Sequence, residues 1–449
     1  MSDFKVGYAR VNINPDLGIP IVGYYIPRFA KGFLDNLESS AMALELNNTR
    51  VLLISLDLCQ MKVSLALSLR EKVAAATGVP VEHIFLGTTH THTGPLTDTG
   101  NPEHAEPVEI YIDFLHRRVA DVAVLALADL KSARMGFIQG WAPERVAYIR
   151  RYKMKDGTTM TCPPVGDPNI DHAIGELDQR VHVLRFDRDG GETVVLVNYG
   201  VHADTVNGEL ICSDFPGWMR RTLEKALDGV QCMFFPGAQG DVGSTHVFPE
   251  GGDLNDTEIS FDNEMKSPGM ARFVGRALAG TVLQVYDKVA YIPVDKLTVA
   301  HQTVTVPANK PEPEQLPLAH KYKQLHDAGR DDLIPYTAME LTTVVAEAVR
   351  MCELENAPDT FDLDLMGVAI GDTVLVGICG EPFTGIGVQI EEIPGWKAIM
   401  PCGLINGSAG YFPLNDAFEE GGYEARSSRY TAGISDAIVA GAKELLARM

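Results

Sequence analysis

The stretch VLLISLDLCQMKVSLALSLREKVAAATGVPVEHIFLGTTHTHTGP, residues 51–95, decides the fold class. It opens on an apolar run, residues 51–56, that reads as a buried strand. Residues 61–76 follow with the spacing of an amphipathic helix that ends near Gly78. Ile84-Phe85-Leu86 is a second short strand, and it runs straight into the pair His90 and His92. Outward from this unit the same alternation continues. Residues 107–131 read as a long helix, 194–197 (VVLV) as a strand, and about 215–227 as a helix. Then come a strand at 232–235, a helix at 270–288, a strand at 374–378 and a last helix from about 432 to 446. The pattern predicts an α/β protein with a large mixed β-sheet flanked by helices. We expect one domain over residues 1–449. A Pro-rich stretch, 307–317 (PANKPEPEQLP), makes 307–320 the best internal linker, either a boundary or a crossover within the domain. Residues 153–175 and 249–269 read as long polar loops.

Composition narrows the function. Hydrophobic residues make up 45% and charged residues 22%, an ordinary globular balance that argues against disorder. Sixty acidic residues against 38 basic ones give a net charge of -22, which repels phosphate backbones, so nucleic acid is excluded as a partner. No run of 18 apolar residues is present, and the first residues carry no basic-then-apolar leader, so neither a membrane span nor a secretory signal is expected. Seven scattered cysteines without a CxxC pair fit a reducing cytoplasm. A metal, if bound, must be held by histidine and carboxylate.

Four polar clusters each follow an apolar strand: His90-Thr91-His92 after IFLGTT, His202 after VVLVNYGV, Asp241 after MFFPGAQG, and Glu381 after VLVGIC. In open α/β sheets ligands bind beyond the carboxyl ends of strands, so these groups can converge on one crevice. A catalytic zinc takes three protein ligands and keeps an open position. Each residue also has a bland reading: His202 a satisfied structural histidine, Glu381 a carboxylate favoured at a helix start, Asp241 a cap or Asx-turn. His83, His172, His182, His246, His301, His320 and His326 lack matching context. Ser244 lacks the GxSxG elbow, which ranks a serine nucleophile low. Three classes stay open on the residues alone: a one-zinc hydrolase, a two-metal phosphoesterase on His90, His92, Asp241 and Glu381, and a non-enzymatic module stabilised by metal.

Taken together the clusters resemble the neutral/alkaline, non-lysosomal ceramidase family. VGYARVNINPDLGIPIVGYY (6–25) is similar to its opening segment, GTTHTHTGP (87–95) to its first histidine signature, and VNYGVHADTVNG (197–208) to its second. FPGAQGDVGS (235–244), GEPFT (380–384) and NGSAGYFPLNDAFEEGGYEARSS (406–428) resemble its later segments, in the family's order. The resemblance implies a zinc-dependent hydrolase that cleaves an amide C–N bond of an N-acyl small molecule through a zinc-activated water. An ester or lactone substrate on the same site is the alternative. It implies one zinc ion held by His90, His202, Glu381 and Tyr411. His92 would stand beside the reacting oxygen, with Tyr423 as a second active-site tyrosine. Asp241 would orient a histidine from behind. Two departures stand out: Gly243 intervenes before Ser244, and the family's active-site arginine falls at Arg145, with Arg150 and Arg151 as alternatives. We expect the catalytic domain alone, without the family's C-terminal immunoglobulin-like domain. Oligomeric state is not legible.

Overall fold

The computed structural model describes residues 4–100, 104–250 and 266–449. Most of the second expected loop, residues 251–265, lies outside the described residues.

Eight strands follow one another across the larger sheet: β1 (Lys5–Asn12), β2 (Glu38–Leu46), β3 (Thr49–Leu56), β4 (Ile84–Thr88), β5 (Lys131–Trp141), β6 (Arg180–Arg188), β7 (Thr193–Tyr199) and β8 (Val230–Pro236). Their spatial order is β8-β7-β6-β5-β1-β2-β3-β4, and a ninth, β9 (Ala290–Ile292), pairs with β5. The sheet is mixed, as expected. β3 and β4 are parallel, with Leu52 opposite Ile84, and so are β7 and β8, with Thr193 opposite Val230. The remaining pairs are antiparallel. Parallel neighbours need a crossover, and helices α1 (Val63–Thr77) and α3 (Asp214–Ala226) supply it. Helices α2 (Ala105–Ala128) and α4 (Pro268–Val285) complete the cover. Ser267 caps α4 by accepting from the Met270 N–H at 3.1 Å, with Pro268 at the first helical position.

A second sheet has four strands: β10 (Leu297–Pro307), β11 (Thr360–Ile370), β12 (Thr373–Ile378) and β13 (Ala398–Cys402), in that order. β12 and β13 are parallel, joined through α7 (Thr384–Glu391), and α8 (Ile434–Leu446) packs against this sheet. The Pro-rich stretch leads from β10 into two helices, α5 (Leu316–Asp327) and α6 (Ala338–Leu354). β10 and β11, on either side of that excursion, pair along their whole length. The expected loop at 153–175 contains short strands instead: Arg151–Met154 pairs with both Thr159–Thr161 and Ile170–Ala173.

What positions the site is the meeting of sheet edges. The larger sheet coils until β4 and β8 touch: the rings of Phe85 and Phe235 meet edge-on at 5.3 Å, and the Ser55 hydroxyl donates to the Phe234 carbonyl at 2.7 Å. The segment after β13 reaches across as well, where Asn406 accepts from the Leu86 N–H through Oδ1 at 3.1 Å. One core joins both sheets, with Phe85, Met233, Phe235, Leu375, Met400 and Ile405 all buried in it. This packing brings together the carboxyl ends of β4, β7, β8 and β12, the four strand ends that carry the polar clusters.

Candidate metal centre

Two residues past β4 the chain turns sharply. His90 adopts φ 70, a left-handed conformation that costs a non-glycine residue about 1–2 kcal/mol. Its backbone N–H donates to the Leu58 carbonyl at 2.9 Å, and its ring Nδ1 donates to the Cys59 carbonyl at 2.8 Å. A carbonyl can only accept, so the Nδ1 proton is fixed and Nε2 faces inward. His202, three residues past β7, is held the same way, its Nδ1 against the carbonyls of Gln239 at 2.7 Å and Val242 at 3.0 Å. Those carbonyls belong to the GAQGDV segment after β8. That segment passes so close to Glu381 that a Cβ on Gly240 would lie 2.6 Å from the Glu381 carbonyl oxygen. Only glycine fits there.

The three groups meet. Glu381 Oε2 lies 3.2 Å from His90 Nε2 and 3.1 Å from His202 Nε2. All three side chains are buried. His202 Nε2 and Glu381 Oε2 have no hydrogen-bond partner among the described residues. With the His202 proton on Nδ1, a ring lone pair faces a carboxylate oxygen at contact distance. That is repulsive unless a cation stands between them. Two donor atoms bound to one tetrahedral zinc at about 2.0–2.1 Å lie about 3.3–3.4 Å apart, close to the separations seen here. His90, His202 and Glu381 therefore form a group able to hold a metal ion.

The electrostatics agree. Burial works against the Glu381 charge, but the imidazoles of His90 and His202 override it and hold the carboxyl well below its usual range. Burial also disfavours charge on His90, yet Glu381 wins and raises its pKa well above the ordinary value. Burial, with the nearby Arg150 charge, pushes His202 down to about 4. Burial keeps His92 neutral.

His92 stands beside this group. Its Nε2 is 3.3 Å from His90 Nε2, and with Cys59 and His90 it makes a second buried group of converging donor atoms that shares His90 with the first. Tyr411 pairs through its backbone with Glu381, and its ring stacks on His202 at 6.4 Å. Tyr423 meets Tyr411 edge-on at 5.6 Å. Burial raises both phenols well above their usual pKa, so both keep their protons.

Two residues lie elsewhere than expected. Arg145 is exposed and pairs with Glu250 at 3.4 Å. The arginine beside the site is Arg150, which donates to the Tyr411 hydroxyl at 3.2 Å, the Gly240 carbonyl at 2.8 Å and Glu424 at 2.7 Å. Local backbone explains the shift: Arg145 sits in an exposed turn at φ 73, whereas Arg150 lies between two short strands, and Arg151, next in the chain, binds Glu420 at 2.9 Å. Asp241 does not hold an imidazole. Its Oδ1 accepts from the Thr384 N–H at 2.7 Å and hydroxyl at 2.9 Å, which anchors the start of α7 just after Glu381. The backbone around it orients His202 instead.

Three groups had no signal in the sequence reading. Asp57 binds Arg220 through Nη1 at 2.9 Å and Nη2 at 2.5 Å, and accepts from the Thr89 hydroxyl at 3.2 Å, bracing the His90 turn. Glu424 accepts from Arg150 and, at 2.7 Å, from the Thr161 hydroxyl. Asp204, Lys266 and Tyr24 form a largely buried cluster beside His92, with Asp204 and Tyr24 half-buried.

No family model matches the chain, and no curated protein does. Solved structures match. The neutral ceramidase of Pseudomonas aeruginosa superimposes with a TM-score of 0.73 at 18% identity, covering 100% of this chain and 75% of that one. A ceramidase complexed with C2 gives 0.72 at 17% identity, covering 100% of this chain and 76% of that one. At that identity the likeness speaks for the fold. Along its whole length, this chain has the fold of the neutral ceramidases.

Proposed function

We propose that the chain is a zinc-dependent hydrolase that cleaves the amide bond of a small N-acyl compound. One observation carries the reading: two imidazoles with their Nδ1 protons fixed turn Nε2 toward one buried carboxylate oxygen, and among the described residues His202 Nε2 and Glu381 Oε2 have no hydrogen-bond partner. His90, His202 and Glu381 would hold one zinc ion, and Tyr411 is the candidate for a longer fourth contact. Bound zinc supplies a Lewis acid for the amide carbonyl and lowers the pKa of its water toward ~7.

The chain's own groups do the rest. His92, neutral and adjacent, moves the proton between the attacking water and the leaving amine. The phenols of Tyr411 and Tyr423 keep their protons and so donate to the oxyanion that develops on the carbonyl. Arg150 fixes the Tyr411 hydroxyl from behind. Burial opposes the guanidinium charge, but Tyr411 and Glu424 hold it. The seven cysteines are all free thiols, which suits a reducing cytoplasmic setting. No helix among the described residues is long and apolar enough to cross a membrane.

The test is metal analysis of the purified protein followed by a panel of N-acyl amides and matched esters of varied chain length. One zinc per chain and chelator-sensitive amide cleavage are expected. Full activity in the metal-free protein refutes the reading, and cleavage of the esters alone moves it to the ester branch.

A further inference from the structure

Beside the metal group lies a second cluster that zinc ligation does not use. Asp204 follows His202 by two residues, and its carboxylate faces the ring of His92. Its Oδ1 accepts from the Tyr24 hydroxyl, and its Oδ2 accepts from the Lys266 ammonium at 3.0 Å. Lys266 also donates to the Tyr24 oxygen at 2.9 Å and sits over the Tyr24 ring. The Tyr24 ring meets His92 edge-on at 5.6 Å. The chain before it presses on the same ring: Gly23 has φ 115, and a Cβ there would lie 2.9 Å from the Cβ and Cγ of His92. Among the described residues His92 Nδ1 is buried with no hydrogen-bond partner, 3.6 Å from Asp204 Oδ1.

A neutral imidazole carries one proton. His90 Nε2 cannot accept it, because that atom is committed to Glu381 and the ion. An N–H on His92 Nε2 would also aim its positive end at the ion. The proton then belongs on Nδ1, where Asp204 is the acceptor at hand. This leaves the Nε2 lone pair directed at the metal side of the ring. At 3.6 Å the pair is in contact but not hydrogen-bonded; catalytic hydrogen bonds are often long at rest and tighten in the reacting complex.

We propose that Asp204, held in place by Lys266 and Tyr24, is the positioning residue of His92: it takes the Nδ1 proton and leaves Nε2 free to act as the base. The assignment rests on the hydrolase reading above, but its first test needs bound zinc and no turnover. In the zinc-loaded full chain, ring 15N–1H correlations report which nitrogen of each histidine is protonated. The His92 signals are those that vanish in His92→Gln. Protonation at Nδ1 is expected, and protonation at Nε2 overturns the proposal. The second test is Asp204→Asn, with Asp204→Glu as the conservative partner. The asparagine variant should keep its zinc and its KM while kcat falls about 10²-fold, and the glutamate variant should recover part of that loss. An unchanged kcat, or zinc lost together with activity, overturns it.

Discussion

Replacing His202 with alanine gives the most direct reading of the centre. Structural zinc sites with four ligands are worth about 10–16 kcal/mol, so one ligand accounts for about 3–4 kcal/mol, or 10²–10³ in affinity. The loss should be near the full value, because the ring is fixed beforehand by two carbonyls and its Nε2 already faces the carboxylate. Heat denaturation reads it out. Unfolding entropy of about 2.1 cal/mol/K per residue gives roughly 0.9 kcal/mol/K for this chain. Zinc at a hundred times its Kd stabilises by about 2.7 kcal/mol, a rise of about 3 °C in Tm. In the variant the same zinc concentration is at or below Kd, so the rise shrinks to under about 0.5 °C. The baseline Tm should drop as well, because the Gln239 and Val242 carbonyls lose their donor, at a cost of about 1–3 kcal/mol. The decisive quantity is therefore the zinc-dependent increment. A variant that keeps the 3 °C increment refutes the assignment, whatever its baseline.

Arg150→Ala should cut activity by about 10²–10³-fold, the usual cost of disturbing an oxyanion donor, while Arg145→Ala leaves the rate unchanged; steady-state kinetics on both variants checks the pair. Zinc binding at pH 7 should release close to one proton. The pKa of His90 is raised well above its ordinary value, so the ring is protonated in the metal-free site and must give that proton up, whereas His202, near 4, has none to lose. Apparent zinc affinity should accordingly rise with pH, by about tenfold per unit below the His90 pKa. Calorimetry in buffers of different ionisation enthalpy counts the proton, and a count near zero contradicts the charge assignment. Asp57→Ala strands the buried Arg220 guanidinium and removes the acceptor of Thr89, so denaturant unfolding should show a loss of about 3–5 kcal/mol.

The convergence of His90, His202 and Glu381 was legible because each lies just past an apolar strand. IFLGT, VVLV and VLVGI read as buried strands, and parallel strands deliver their carboxyl ends to one side. What surrounds the ligands was not legible, because its partners are chosen by packing rather than by chain neighbourhood. Asp204 and Lys266 are 62 positions apart and join only where the Gly23 turn crosses His92. Arg150 reaches Tyr411 where Arg145 stays in an exposed turn, and the short strands at 151–173 are too brief to show alternation. The helix over Ala338–Leu354 was hidden by the Pro-rich stretch before it, which draws attention to a linker when the chain makes a long excursion between paired strands. The division is physical. A ligand needs only to sit at a strand end, and the sequence records that. A positioning group needs a partner from another element, so its role exists only once the two sheets have met.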